Sequence, residues 1–289
     1  MSVVCDAPIA AMPARYVLER GEVRYPAALH ELRDAPPRLY VWGGALPAPG
    51  ASVAVVGARA ATPYGLTLAT RLAGDLAAQG VTVVSGLAHG IDAAAHRAAL
   101  AAGGRTIAVI ASSLSQVTPA DHVALAREIA ASGAVVSEVA EGGPFGRGAF
   151  VKRNRLIAAL TALTVVVEAG ERSGALATAS YARALGRGVL AVPGDVDRPG
   201  SRGTLALLRT GARPCADAGD VLALLSHSPS VDAPPATRLR SRLGREPASV
   251  ERLSAVSGLS APEVLALLLR LQWSGLAVLH PGGRWSART

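Results

Sequence analysis

Six short apolar runs punctuate the middle of this chain: Val53–Val56, Val81–Val84, Thr106–Ile110, Ala134–Val136, Leu163–Val167 and Gly188–Val192. None alternates strictly between apolar and polar positions. Each therefore suits a strand buried on both faces. Between the runs lie helical stretches near Tyr64–Gln79, Ile91–Ala102, Asp121–Ala131, Arg153–Ala162 and Leu176–Leu185. Strand and helix in turn predict an α/β fold, a doubly wound and mainly parallel sheet. Right-handed crossovers then place helices on both of its faces.

The rhythm breaks at both ends. Residues 1–50 carry a short helical pattern and many prolines, including Pro36-Pro37 and Pro47-Ala48-Pro49, and read as a short extension without a core of its own. The sheet domain occupies residues 51–225. Residues 226–245 have linker composition, Ser and Pro followed by four arginines among Leu and Ser. A small domain, 246–289, follows. Ser249 can cap a helix to about Val256, and Ser257-Gly258-Leu259-Ser260 makes a tight turn. Ser260 with Glu263 then forms a capping box for a second helix to about Trp273. Leu276–His280 and Arg284-Trp285, joined by Pro281-Gly282-Gly283, predict a hairpin. Helix, turn, helix and hairpin outline a winged helix.

Composition narrows the class. A length of 289 residues suits about two domains. Half the residues are hydrophobic and 17% are charged, which excludes wholesale disorder. Aromatics are only 3%, so the core is built from Ala, Val and Leu. No apolar stretch reaches the ~18 residues of a membrane span, and the N-terminus lacks the pattern of a secretory signal. Cys5 and Cys215 form neither a disulfide framework nor a metal motif. The expectation is a soluble cytoplasmic protein with no membrane association. The net charge of +8 and a pI near 10.4 suggest a polyanionic partner. Lys152 is the only lysine, and heavy Arg and Ala use can also reflect a GC-rich genome. The placement of the charges therefore matters more than their sum.

Open parallel sheets bind ligands outside the carboxyl ends of their strands. At that edge the chain places Gly57-Ala58-Arg59, then Ser85-Gly86-Leu87-Ala88-His89-Gly90-Ile91-Asp92, then a Gly-rich loop from Gly142 to Phe150, then Glu168-Ala169-Gly170 and Arg172-Ser173-Gly174, and finally Pro193-Gly194. Gly and Ser also simply fit tight turns. Several such turns converging on one edge, beside Arg59, Arg147, Lys152, Arg153 and Arg155, favour phosphate binding by helix N-termini and amide groups. The loop after the first run lacks Gly-x-Gly-x-x-Gly, and no P-loop exists, so neither NAD nor ATP is supported and no cofactor is assigned. Several anion sites along one rim suit a phosphodiester chain, and Phe150 offers a stacking platform for an unpaired base. His89, Asp92 and His96 make a conceivable metal or acid–base cluster. Asp92 capping its helix and His96 packing locally account for them as well, and no metal site is assigned.

A set of motifs then resembles one family. The stretches are Tyr25-Pro26, Pro37-Arg-Leu-Tyr40-Val-Trp-Gly43, Val55-Val-Gly-Ala-Arg59, Tyr64-Gly65, Ser85-Gly-Leu-Ala-His-Gly-Ile-Asp92, Ala95-His96 and Ser137-Glu138. They continue with Phe150-x-x-Arg153-Asn154-Arg155-x-Ile157, Glu168-Ala169, Ser173-Gly-x-Leu-x-Thr178-Ala179, Pro193-Gly194 and Gly203-Thr204. In this order they resemble the DprA/Smf family of bacterial DNA-processing proteins, and residues 246–289 resemble its optional winged helix. The resemblance implies an extended Rossmann-like fold that binds single-stranded DNA without catalysis. It also implies protection of incoming strands, loading of the RecA recombinase in natural transformation, and assembly as a homodimer. The implied DNA-binding residues are Gly57, Arg59, Ser85, Gly86, Gly90, Arg147, Phe150, Lys152, Arg153, Asn154, Arg155, Ser173 and Gly174. Departures from the family pattern include Ala58 for its usual Ser, Val151 for a Pro, Leu205 for an Asn, and Ser112–Pro119 for a Gly-rich and Tyr-Pro segment.

Two other readings stay open. One is a nucleotide phosphoribohydrolase-like enzyme, although its Pro-Gly-Gly-x-Gly-Thr loop is broken here after Pro193-Gly194. The other is a winged-helix transcription regulator whose large domain senses a ligand.

Overall fold

The computed structural model describes residues 13–46, 52–144, 146–227, 239–240, 242–244 and 246–287, the side chain of Arg147 excepted. Most of the expected linker lies outside them. The six apolar runs form parallel strands β3 (Ser52–Val56), β4 (Thr82–Ser85), β5 (Thr106–Ile110), β6 (Ala134–Ser137), β7 (Leu163–Val166) and β8 (Gly188–Ala191). They are joined by α1 (Pro63–Ala78), α2 (Ile91–Ala101), α3 (Val123–Ser132), α4 (Arg147–Ala159) and α5 (Ala175–Ala184). Helix α6 (Arg202–Arg209), strand β9 (Arg213–Pro214) and α7 (Ala218–His227) complete this part. Burial on both faces explains the unbroken apolar runs. Val53 and Val55 pack with Leu72 and Leu76 of α1, whereas Ala54 and Val56 face Leu156 and Ile157 of α4.

Three strands were not legible as part of this sheet: the two-residue β9, which pairs parallel with β8, and two from the N-terminal segment. β1 (Arg15–Glu19) pairs antiparallel with β2 (Arg38–Gly43), and β2 pairs antiparallel with β6. The nine-stranded order is β1-β2-β6-β5-β4-β3-β7-β8-β9. The N-terminal segment thus extends the main sheet and adds Leu18, Leu29 and Leu39 to its core. Two buried arginines pin it. Arg155 bonds Asp34 at 2.7 Å, and Arg187 reaches Glu31 at 3.3 Å.

Helix α4 begins six residues before the expected Arg153. Its fully buried apolar residues begin at Leu156, and its first turns mix Gly148, Phe150 and Val151 with Arg147, Lys152 and Arg153, so no clear helical period announces the start. The C-terminal unit follows its sequence signals. Ser249 accepts the Arg252 N–H at the start of α8 (Val250–Ser257), which ends at Gly258 with a left-handed φ of 68°. The Ser260–Glu263 capping box opens α9 (Ala261–Trp273), and β10 (Ala277–His280) pairs with β11 (Arg284–Ala287). Leu253, Val264, Leu268 and Trp285 form its own core. Among the described residues, no single helix is long and apolar enough to cross a membrane.

Candidate nucleic-acid interface

Strand order reverses between β3 and β7, because β4 to β6 lie on one side of β3 and β7 to β9 on the other. Such a switch point opens a crevice at the strands' carboxyl ends. The protein fills part of it with its own carboxylate. Glu168, just past β7, accepts the Thr62 N–H at 3.1 Å and the Thr62 hydroxyl at 2.8 Å, at the N-terminus of α1. A Cβ on Gly65 would stand 2.1 Å from Glu168 Oε2, so only glycine admits this approach. The α1 terminus therefore already holds an anion.

The turn after β4 is likewise closed from within. The Ser85 hydroxyl donates to the Val55 carbonyl at 2.7 Å. The Gly86 N–H donates to Asp92 Oδ2 at 3.1 Å, and the Gly86 carbonyl accepts from Arg153 at 2.8 Å. Gly90 has φ +73°, and a side chain there would strike the Ala58 and Arg59 carbonyls. Gly57 packs against Ile91 and the Glu168 backbone. These residues lock the β3 and β4 loops together. The Ser85 hydroxyl and the Gly86 amide, both expected at phosphates, each donate within the protein here.

Helix α4 divides by depth. Arg147 is its first residue, and the Arg147 side chain lies outside the described residues. Phe150 is half-buried, and the exposed Arg59 guanidinium stacks over its ring at 4.9 Å from the centroid. Lys152 is exposed, with its ammonium 3.8 Å from Glu138. The next three residues run inward. Arg153 donates to the Gly86 and Val109 carbonyls and, at 3.1 Å, to Asn154 Oδ1. Asn154 donates to the Gly174 carbonyl at 3.0 Å. Arg155, its side chain only 3% exposed, bonds Glu138 at 2.8 Å as well as Asp34. Arg153-Asn154-Arg155 was expected to touch the strand directly. In the structure it is an internal hub tying together the β4 loop, the β7 loop and the N-terminal segment.

Burial shapes the electrostatics of that hub. Desolvation lowers the Arg153 guanidinium to about 10, with Asp92 opposing and Arg59 adding to the shift. Arg153 thus stays charged at neutral pH. Desolvation also raises the Asp92 carboxyl, against the pull of Arg153 and the loop amides. Asp92 accepts from the Gly86 and Ala88 N–H groups, so it braces the β4 loop where a helix cap was expected. His96 packs locally, as expected. Thr106 Oγ1 donates to the Val83 carbonyl and accepts from His96 Nδ1 at 2.7 Å. Its ring is pushed down to about 3, chiefly by burial and then by His122 and Arg153.

Ser173 caps locally, accepting the Ala175 N–H at 3.4 Å, and Gly174 is exposed at the start of α5. Sequence reasoning did not assign Asp34 or Glu138 as partners of Arg155, because no local pattern links them. In the winged unit, α9 exposes Leu265, Leu269 and Trp273, the last at 91%. The exposed Arg59 over Phe150 thus forms a cationic and aromatic pair, which can hold a phosphate and stack a base, while Lys152 is exposed on the same helix beside Glu138.

Known proteins resemble this chain over most of its length. The sequence model of the family described as DNA recombination-mediator protein A matches residues 16–226, and that of the DprA winged helix domain matches residues 225–283. A putative DNA processing protein DprA of Mycobacterium tuberculosis is 44% identical over 248 residues, covering 81% of this chain. The chain spans 64% of the length of that relative. Protein Smf of Escherichia coli is 35% identical over 288 residues, covering 94% of this chain and 77% of its own. The crystal structure of DprA from Streptococcus pneumoniae aligns with TM-score 0.67 at 37% identity, covering 72% of this chain and 73% of that one. DprA from Helicobacter pylori, whose structure concerns its single-stranded DNA binding mode, aligns with TM-score 0.65 at 30% identity, over 73% and 95%. With the motifs, the nine-stranded sheet and the winged unit in agreement, the chain belongs to the DNA recombination-mediator protein A family, DprA/Smf.

Proposed function

We propose that this protein binds single-stranded DNA along the carboxyl rim of its sheet and performs no bond chemistry. The observation that carries the reading is the exposed Arg59 guanidinium stacked on Phe150 at 4.9 Å. One face of the cation lies on the ring, and the other can receive a base or a phosphate. Lys152 adds a second exposed cation on the same helix as Phe150. Arg147, Gly90, Ser173 and Gly174 belong to the same proposed path. Arg153, Asn154 and Arg155 hold its loops in place.

Within recombination, the strand held here would be protected and passed to the RecA recombinase during natural transformation, with the protein acting as a homodimer. The enzymatic alternative gains little support at the switch point, where Glu168 is engaged by Thr62. A duplex-reading regulator gains little from α9, whose exposed stripe is apolar.

Binding of a labelled oligonucleotide across a salt series tests the reading. Single strands should outcompete duplex, and Arg59→Ala should reduce the slope of log K against log salt by about 0.7 for one lost phosphate contact. A wild-type slope in that variant would remove the proposed rim.

A further inference from the structure

We propose that His89, Asp121 and His122 form a binding site for one divalent transition-metal cation of the zinc class. His89 sits in the loop after β4, and Asp121 and His122 sit in the 3-10 turn Ala120–His122 before α3. The sheet brings these loops together because β4 and β5 are neighbours. One donor atom from each residue lies within 4.8 Å of the other two. The two imidazole rings are 4.7 Å apart between centroids, tilted by 60°, and His89 Nε2 is 3.7 Å from Asp121 Oδ1.

The buried member of the trio is held by its backbone contact. His122 Nδ1 lies 2.9 Å from the Leu87 carbonyl. A carbonyl only accepts, so Nδ1 carries the proton and the neutral ring keeps its lone pair on Nε2. Metal-ligating histidines characteristically donate their other ring nitrogen in this way. Leu87 supplies that carbonyl from a left-handed conformation, φ 59°, found at no other non-glycine among the described residues. A buried leucine in that region is strained, and such strain persists where the surroundings require a specific backbone orientation.

Two imidazole nitrogens and one carboxylate oxygen suit zinc and its transition-metal neighbours, whereas Mg2+ and Ca2+ favour oxygen ligands throughout. Three protein ligands leave a further coordination position, and the exposure of His89 and Asp121 opens it to solvent. The bound cation would also staple the β4 and β5 loops next to Gly90, whose close packing positions the Arg59 backbone. The site does not depend on the DNA-binding reading.

Its test is a direct metal titration. The full chain, stripped with a chelator and dialysed, is titrated with Zn2+ in competition with a chromophoric chelator. Expected is one equivalent bound, with affinity at least about tenfold weaker in His89→Ala and in Asp121→Asn. Both side chains are more than half exposed, at 53% and 65%, so neither change disturbs the core. Circular dichroism confirms that the variants are folded. Co2+ uptake with visible ligand-field absorption, absent in His89→Ala, supports the same trio. Failure of the wild type to bind one equivalent, or unchanged affinity in either variant, overturns the proposal. The second result would locate the metal on other groups and leave His89 and Asp121 as an ion pair only.

Discussion

The two halves of α4 carry similar residues and do opposite things. Phe150 is half-buried under the exposed Arg59 and Lys152 is exposed, whereas Arg153-Asn154-Arg155, beginning one position later, lies in the interior. The difference is not chemical, since arginine occurs in both groups. It comes from what covers the helix. The N-terminal segment lies against Arg155 through Asp34, and the β4 loop and β5 cover Arg153. A cationic residue in a binding motif can therefore act by holding the site rather than by touching the ligand.

The largest effect that separates the halves is on stability. Arg153→Ala leaves Asp92 buried beside an undone loop and should cost about 3–5 kcal/mol in urea unfolding. Arg59→Ala, at the surface, should change stability by less than about 0.5 kcal/mol. The reverse ranking would abolish the distinction between inner and outer cations.

Acid unfolding probes the neighbouring interior. His96 binds its proton near pH 3 in the folded state and near 6.5 when unfolded. Below pH 6.5 the unfolded chain thus holds more protons. The stability is complete above that pH and should fall by about 1.4 kcal/mol per unit as the pH drops from 6.5 toward 3. Urea midpoints at pH 7.5 and 5.5, compared with those of His96→Asn, measure this. An unchanged pH dependence in the variant would mean that other groups are responsible.

Smaller effects sharpen the outer half. Phe150→Ala should cost about 1–3 kcal/mol of single-strand affinity through lost stacking, with little change in salt slope. Fluorescence titration at several salt concentrations distinguishes this from a lost charge. Lys152→Ala should flatten the slope by less than the ~0.7 of a full contact, because Glu138, 3.8 Å away, already offsets part of the charge. A larger effect than that of Arg59→Ala would move the centre of the rim toward Lys152.

The central strands were readable because burial on both faces leaves an unbroken apolar signature, and the caps at Ser249 and Ser260 announced the winged unit. β1, β2 and the two-residue β9 escaped because they join the two ends of the sheet from outside the alternating strand–helix run that announced the centre. The rim was legible as a set of small residues after strands. Its occupancy was not, because Glu168 and Thr62 meet only when β3 and β7 become neighbours. Likewise, His89 pairs with Asp121 and His122 across two loops, whereas spacing along the chain pointed to Asp92 and His96.

Local pattern alone settles the layered α/β architecture, the separate C-terminal unit and the edge where small and cationic residues gather, because each depends on near neighbours in the chain. Which of those cations face water and which are internal braces was decided by tertiary packing. Desolvation and pairing depend on segments more than a hundred residues apart, as Asp34 and Arg155 demonstrate.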